Sequence, residues 1–270
     1  MKSWVDAVSS AIPSRAARLL PAAGPLILTY HGIGGEDGVA PAALERQLEL
    51  VSRLKRVVPL AEAIRLLGRP QAGEVAAVTF DDGYRDFAEL AVPALAARDL
   101  HATLFVPAGH IGGRNRWDEG RRPTRRLLAE GELRDLDKTH VEIGGHGLNH
   151  VPLASLGLAR LREEAETSRR ILEDVTGREI RLFAYPYGQR GDFDIAAERA
   201  VEAAGYIAAC STCFGRGSRP SERYRLRRVS VVASDDEGRF LRKLQGHYDW
   251  VAAKEAVAHQ VRGALGRRSG

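Results

Sequence analysis

Short apolar runs alternate with longer amphipathic patterns along most of this chain, and this alternation limits the fold more than any other feature of the sequence. The short runs have the length of buried strands, whereas the longer patterns have helical spacing. Repeated strand–helix units of this kind form a mostly parallel sheet. The predicted strands cover residues 26–31, 75–80, 102–106, 140–144, 181–185, 206–211 and 226–232, with a further short one at Val57 and Val58.

Helical patterns fill the segments between the predicted strands. They cover residues 42–54, 60–67, 86–98, 158–175 and 195–204. Gly177 and Gly205 follow two of these patterns, at positions where a helix often ends on a glycine. The 270 residues contain neither a repeat nor a low-complexity linker, so we expect one domain, a barrel or a large open sheet, over residues 21–246. A helical extension (1–20) and a basic helical tail (247–270) are expected to flank it.

Charge and composition are those of an ordinary globular protein. Hydrophobic residues make up 44% and charged residues 28%, and the net charge of +5 comes from 40 basic and 35 acidic residues. These charges are spread along the chain, which is typical of a solvated surface and argues against a nucleic-acid partner. A local arginine cluster leaves a phosphate-bearing substrate or peripheral contact with an anionic lipid surface open. It consists of Arg121, Arg122, Arg125 and Arg126.

Cys210 and Cys213 are the only cysteines of the chain. A redox dithiol or half of a zinc site is one interpretation, but no second pair is present to complete a zinc site, so two ordinary thiols in a reducing compartment are favoured. No stretch approaches the ~20 apolar residues of a membrane span. Polar residues and prolines interrupt residues 1–21, which therefore lack the apolar core of a signal peptide. We expect a cytoplasmic protein.

Two adjacent aspartates, Asp81 and Asp82, follow the predicted strand 75–80. In parallel α/β folds, the loops beyond the carboxyl ends of the strands carry the chemistry. Adjacent carboxylates repel each other unless a cation or a proton gives them different roles. Taken alone, an Asp-Gly turn ahead of a helix capped by Asp86 explains the pair equally well.

A histidine pair, His146 and His150, follows the predicted strand 140–144 and favours the chemical interpretation. We place the two imidazoles in one helical turn, where a spacing of four residues puts them on one face, close enough to share a metal ion. Two imidazoles and one carboxylate form a usual catalytic zinc shell with a position left for water. The other aspartate can then act as the base that takes a proton from that water.

A third motif, Tyr185-Pro-Tyr-Gly188, follows the predicted strand 181–185. A rigid turn at this place can direct a backbone N–H towards a developing oxyanion. The same three residues, Pro-Tyr-Gly, also form ordinary turns, so this motif is weak when it is considered alone.

The three motifs together, in this order, resemble the NodB-homology polysaccharide deacetylases, carbohydrate esterase family 4. They are Thr79-Phe-Asp-Asp-Gly83, the pair His146 and His150, and Tyr185-Pro-Tyr-Gly188. The resemblance spans about residues 25–233 and implies an α/β fold, a distorted (β/α) barrel of about seven mostly parallel strands in a single domain. It also implies a metal-dependent carbohydrate N-deacetylase. A catalytically inactive sugar-binding module of the same fold is the alternative.

The resemblance assigns a role to each motif residue. Asp81 is the implied general base, and the N–H of Tyr187 is implied to stabilise the oxyanion. The implied ligands of one divalent ion, with zinc as the expected metal, are Asp82, His146 and His150. The implied substrate is an amino sugar with an N-acetyl or similar small acyl group. With a cytoplasmic location, we expect it in a nucleotide-linked or lipid-linked saccharide or a glycosylated metabolite.

Two departures from the family pattern lead to further predictions. The late Leu-x-His motif, which supplies the general acid, is absent from strand 226–232. However, His31 ends the first strand, and in this respect the chain is similar to the poly-N-acetylglucosamine deacetylase branch, where the motifs are circularly permuted and the acid histidine lies in the first strand. We therefore predict His31 as the general acid. The alternative is a histidine that packs at the barrel mouth.

The second departure concerns the partner of Asp81. Family members often have an arginine two residues before the proline of the third motif, and this chain has Ala184 there. We predict that a donor from elsewhere in the chain replaces it: Arg227 or Arg228 of the last strand, or a polar group near Tyr30. Of these we favour Arg228, because the last strand should close the barrel beside the first one. Strand alternation then points Arg227 to the opposite face.

The long loop after strand 102–106 adds two candidate substrate contacts. Trp117 can stack on a sugar ring and Asp118 can bind hydroxyl groups. An anchor for the loop is an equally good interpretation of Trp117.

Overall fold

The computed structural model describes residues 24–216 and 219–248. The predicted amino-terminal extension and nearly all of the predicted basic tail lie outside the described residues. No helix among the described residues combines the length and the apolar character needed to cross a membrane.

Seven parallel strands form a closed barrel in the described part of the chain. The sheet order is β1-β8-β7-β6-β5-β4-β3-β2, and pairing of β1 with β3 closes the barrel while β2 extends the start of β3. This confirms the predicted (β/α) barrel in a single domain. The strands are β1 Leu26–Tyr30, β2 Arg56–Val57, β3 Val75–Phe80, β4 Ala102–Val106, β5 Val141–Gly145, β6 Leu182–Ala184, β7 Ala208–Phe214 and β8 Leu226–Ser230.

Helices connect the strands and cover the outside of the barrel. The α-helices are α1 Pro41–Leu54, α2 Leu60–Arg65, α3 Val92–Ala96, α4 Glu130–Asp135, α5 Leu158–Arg162, α6 Ser168–Thr176, α7 Ile195–Ala203 and α8 Glu237–Leu244. Every predicted helical pattern contains a helix, whereas α4 and α8 were not predicted. Two π-helical turns, Phe87–Ala91 and Glu163–Thr167, precede α3 and α6. The first lies just before Pro93, which has no N–H to donate within a helix.

The strands are buried on both faces, and this divides the core into two clusters. On the outer face, Leu28 of β1 packs in the cluster that contains the residues of the covering helices. On the inner face, Ile27 of β1 and Ala77 of β3 pack with α2, whose apolar side chains belong to the same cluster. Because side chains alternate along a strand, β3 continues this inner face through Thr79 to Asp81, at the carboxyl end of the barrel.

Gly144 in β5 shows how closely the inside of the barrel is packed. A Cβ atom at this position would lie 2.6 Å from the Phe105 ring and 2.8 Å from the carbonyl oxygen of Leu182. By contrast, a Cβ atom at Gly131, in α4, would meet nothing within 4 Å. The barrel interior therefore has no room for a methyl group that the surface helix accepts.

We expect Gly144→Ala to lower the free energy of unfolding by ~1–3 kcal/mol, because the neighbouring groups must move apart. The matched variant Gly131→Ala should raise it by ~0.5–1 kcal/mol, because alanine favours the helical conformation. Urea unfolding followed by circular dichroism measures both. A Gly144→Ala variant as stable as the wild type would contradict the close packing of the barrel.

Candidate active site

One cleft at the carboxyl end of the barrel brings all eight predicted site residues together. Asp81 and Asp82 directly follow β3, His146 follows β5, and His31 follows β1. The parallel direction of the strands places these segments at the same end of the barrel. Arg122 and Thr212 also line the cleft, whose volume is about 70 Å³.

Asp82, His146 and His150 form a buried group that can hold a metal ion. One oxygen or nitrogen atom of each lies within 4.8 Å of the others, and this is the one such group among residues 24–216 and 219–248. The Oδ1 atom of Asp82 lies 3.5 Å from Nε2 of His146 and 3.1 Å from Nε2 of His150. Nδ1 of His146 is 2.7 Å from the carbonyl oxygen of Ala184. Since a carbonyl only accepts, Nδ1 donates, which leaves Nε2 as the nitrogen that faces Asp82.

The charges of this group suit a cation. Burial raises the pKa of Asp82, but the hydrogen bonds with His146 and His150 outweigh burial and hold it well below its usual value. Burial lowers the pKa of His150, so its imidazole is neutral at neutral pH. For His146, the effect of burial is outweighed by Asp82 and Asp81, which raise its pKa and make it the more basic imidazole. An anionic oxygen beside two imidazole nitrogens is a donor set that zinc accepts.

The structure corrects the prediction that the histidine pair lies in a helical turn. Residues 146–150 form an irregular loop, in which Gly147 has φ of 73° and His150 has φ of 51°. These left-handed conformations do not belong to an α-helix. The loop itself turns both imidazoles towards Asp82.

Glu164, which the sequence analysis missed, accepts hydrogen bonds from this loop and fixes its conformation. It lies in the second π-helical turn and is fully buried. Its Oε2 accepts hydrogen bonds from the N–H groups of Leu148 at 2.7 Å and Asn149 at 3.0 Å, and its Oε1 accepts one from Nδ2 of Asn149 at 2.7 Å. Three hydrogen bonds to a buried carboxylate fix the backbone between the two histidines.

Arg228 contacts Asp81 as predicted. Its Nη1 and Nη2 donate to the two oxygens of Asp81 at 2.7 and 2.6 Å, and both side chains are buried. Further hydrogen bonds run from Arg228 Nε to Ser211 O at 2.8 Å and from Nη1 to Thr79 Oγ1 at 3.1 Å. Burial raises the pKa of Asp81, but the guanidinium of Arg228 outweighs burial and lowers it, so Asp81 is ionised at neutral pH. Arg227 instead donates to the carbonyl of Phe214.

His31 and the third motif complete the cleft. Nε2 of His31 lies 3.9 Å from Oδ2 of Asp81, and its side chain is 39% exposed. Tyr187 has φ of 59°, a strained conformation for a residue other than glycine. The hydroxyl of Thr212 donates to the carbonyl of Tyr187 at 2.6 Å and thereby holds this turn.

Trp117 has contacts that fit both roles left open by the sequence, the loop anchor and the substrate contact. Its ring stacks on His150 with centroids 4.1 Å apart, and it packs edge-on against His110 at 5.1 Å. It therefore anchors the loop against the histidine pair, and it also lines the cleft together with Asp118.

Tyr84 is a second residue of this region that the sequence analysis missed. It is buried beside Asp82, and burial together with the charge of Asp82 raises the pKa of the Tyr84 hydroxyl. The hydroxyl therefore stays protonated and can donate to that carboxylate. Its position in the run Asp81-Asp82-Gly83-Tyr84 is the only signal that the sequence offers.

The two cysteines behave as ordinary buried thiols. Both are free, and neither belongs to the group of possible metal ligands in the described part of the chain. Burial raises the pKa of Cys210 to about 12, which leaves the thiol protonated.

Comparisons with known proteins agree with this fold. YxkH of Bacillus subtilis strain 168, provisionally named a polysaccharide deacetylase, is 24% identical over 210 residues, which cover 76% of this chain and 70% of YxkH. The deacetylase PplD of Streptococcus pyogenes, solved in complex with acetate, gives a TM-score of 0.69 at 20% identity, over 82% of this chain and 97% of PplD. IcaB from Ammonifex degensii gives 0.69 at 23% identity, over 83% and 97%. These two structures share the fold.

The sequence model of the polysaccharide deacetylase family matches residues 68–209. This segment is more than half of the 270 residues. It includes both aspartates, both histidines and the third motif, whereas His31 and Arg228 lie outside it. The chain therefore belongs to the polysaccharide deacetylases, the NodB-homology family of carbohydrate N-deacetylases.

Proposed function

We propose that the protein is a metal-dependent hydrolase that removes an N-acetyl or similar small acyl group from an amino sugar. The observation that carries this proposal is the position of Asp82, His146 and His150 directly beside the ion pair of Asp81 and Arg228. One aspartate faces two imidazoles and its neighbour faces a guanidinium, so the two carboxylates have different partners. This division suits a metal ligand and a general base.

In this proposal, Asp82, His146 and His150 hold one divalent ion, with zinc as the favoured metal. The neutral imidazole of His150 and the orientation of Nε2 of His146 towards Asp82 support the assignment. When bound, such an ion supplies Lewis-acid chemistry: it acidifies water and polarises a carbonyl group.

The remaining residues move protons and orient the substrate. Asp81 accepts a proton from the attacking water, and Arg228 keeps it ionised and correctly oriented. The N–H of Tyr187 donates to the oxyanion that forms at the acyl carbon. His31 delivers a proton to the nitrogen as the C–N bond breaks, so that the products are a carboxylate and a free amine. Trp117 and Asp118 contact the sugar.

The proposed substrates are amino sugars in a glycan, in a lipid-linked or nucleotide-linked saccharide, or in a glycosylated metabolite. Incubation of the zinc-loaded protein with a panel of such N-acetylated compounds, followed by mass spectrometry, tests this directly. We expect at least one compound to lose the mass of one acetyl group. Binding of the compounds without any such loss would favour an inactive sugar-binding module instead.

We expect His146→Gln and His150→Gln to lose zinc and activity, because each removes one ligand of the ion. Glu164→Gln should bind zinc ~10–100-fold more weakly, because it loosens the loop that carries both ligands. Zinc content and affinity are measured by equilibrium dialysis. The control is His140→Gln, since His140 pairs with Asp99 and Asp137 away from the cleft. Full zinc occupancy in both His146→Gln and His150→Gln would exclude this ligand set.

Without the positive charge of Arg228, Asp81 should lose its proton, and so become able to act as a base, only at higher pH. Arg228 lowers the pKa of Asp81, whereas burial raises it. When Arg228→Gln removes the positive charge, the effect of burial remains and the pKa of Asp81 rises. Because the base must be ionised, the acidic limb of the kcat/KM profile should move to higher pH. The variant should also lose ~3–5 kcal/mol of stability, since a buried charge then lacks its partner.

Arg227→Gln is the control for this measurement, and Arg228→Lys, which keeps the charge, should shift the limb less than Arg228→Gln. If the acidic limb stays in place in both Arg228 variants, Asp81 is not the base whose titration limits activity.

His31→Ala should keep its zinc while kcat falls by ~10²–10⁴, the usual contribution of a general acid. His101→Gln, at the amino end of β4, serves as the control. A near-normal kcat in His31→Ala would mean that another group protonates the leaving amine.

A further inference from the structure

The loop between β4 and α4 forms one wall of the cleft and is rich in arginine. Residues 114–126 contain six arginines and two acidic residues. Arg125 is already neutralised, because it donates to Asp37 and Asp86 at 2.5 Å each. The other five are exposed, and none of them has an ion-pair partner among the described residues. They are Arg114, Arg116, Arg121, Arg122 and Arg126.

Several surface arginines elsewhere in the described part have acidic partners, which these five lack. Arg53 pairs with Glu49, Arg56 with Glu62 and Arg160 with Glu163. The six arginines of the loop outnumber its two acidic residues. Like charges that lie close together repel each other, and a bound anion relieves this repulsion.

Arg122 differs from the other four because it lines the active-site cleft. The loop that carries it is fixed at several points. Asn115 is buried, and its side chain accepts from the N–H of Arg125 at 2.6 Å and donates to the carbonyl of Pro123 at 3.2 Å. Trp117 stacks on His150. These contacts hold the loop that carries Arg122 against the site.

The size of the cleft determines which part of a substrate reaches this arginine. Its volume is about 70 Å³, well below the ~300–1,000 Å³ of pockets that enclose a whole small-molecule ligand. The cleft admits the acylated end of the sugar, and the rest of the substrate must lie along the wall. An uncharged N-acetylated sugar offers a guanidinium only hydroxyl and amide oxygens. A phosphate offers it charged oxygens in the geometry of two parallel hydrogen bonds.

We propose that the substrate is an N-acetylated amino sugar that bears a phosphate or diphosphate group, and that Arg122 binds this group. The inference rests on the proposed function, since it places the acyl group at Asp82, His146 and His150. A nucleoside diphosphate and a lipid diphosphate share the required chemistry.

The test compares the binding and turnover of four compounds of the same sugar by the zinc-loaded protein. They are N-acetylhexosamine 1-phosphate, its uncharged methyl glycoside, a nucleoside-diphosphate-linked form and a polyprenyl-diphosphate-linked form. We expect kcat/KM for the phosphate-bearing compounds to exceed that for the methyl glycoside by ~10-fold or more, mainly through KM, and to fall as salt is raised. The better of the two diphosphate forms identifies the carrier.

Arg122→Gln should reduce the ratio of phosphate-bearing to uncharged turnover by ~10-fold, the range expected for one charge-assisted contact. Arg126→Gln, on the same loop but outside the cleft, should leave this ratio unchanged. Calorimetry measures the binding of the same compounds without turnover. It should show that Arg122→Gln loses the preference for phosphate-bearing over uncharged compounds.

Equal kcat/KM for the phosphate-bearing and uncharged compounds would overturn the inference and leave the proposed function intact. Failure to deacylate any of the four, with zinc bound, would count against the proposed function, and calorimetry then decides the inference by itself. Binding to anionic vesicles that depends on Arg114, Arg116 and Arg126 as much as on Arg122 would assign the cluster to a membrane surface and overturn the inference.

Discussion

A buried ion pair between Arg228 and Asp81 is the interaction on which the site depends. Removing two charges from water is costly, and excellent hydrogen-bond geometry is needed to offset that cost. Here the guanidinium donates to both oxygens of Asp81 and also to Ser211 and Thr79, so β8, β7 and β3 are tied together inside the barrel. The guanidinium thereby fixes the orientation of the Asp81 carboxylate. The neighbouring Asp82, with φ of 73°, turns to the two histidines.

Backbone strain is concentrated around this pair. Four described residues other than glycine have positive φ, and three of them are Asp82, His150 and Tyr187. Each such conformation costs ~1–3 kcal/mol and persists only where the surroundings enforce it. The surroundings are identifiable: Glu164 fixes the loop before His150, and Thr212 fixes the turn at Tyr187. The stability of the barrel therefore supports a geometry that the local sequence does not prefer.

This dependence explains which features the sequence could predict. The strands follow from local apolar patterns. The choice of Arg228 follows from the expected position of the last strand beside the first one, and strand alternation then places Arg227 on the opposite face. The proximity of His146 and His150 was predicted correctly, but through a helical turn that does not exist. Their actual loop depends on Glu164, which is 18 residues beyond His146 in the chain and has no local signal. Contacts between segments far apart in the chain, such as the stacking of Trp117 on His150, depend on the packing of the whole fold, so local sequence patterns do not predict them.

The central claim is that two neighbouring aspartates have separate roles, one towards a metal ion and one as a base held by Arg228. The most direct test measures zinc content and deacetylation side by side in Asp81→Asn and Asp82→Asn. The account predicts that Asp81→Asn keeps one zinc ion per chain and loses turnover, because only the base is removed. Asp82→Asn should lose both. An Asp81→Asn protein without zinc, or an Asp82→Asn protein that keeps zinc and turnover, would contradict it.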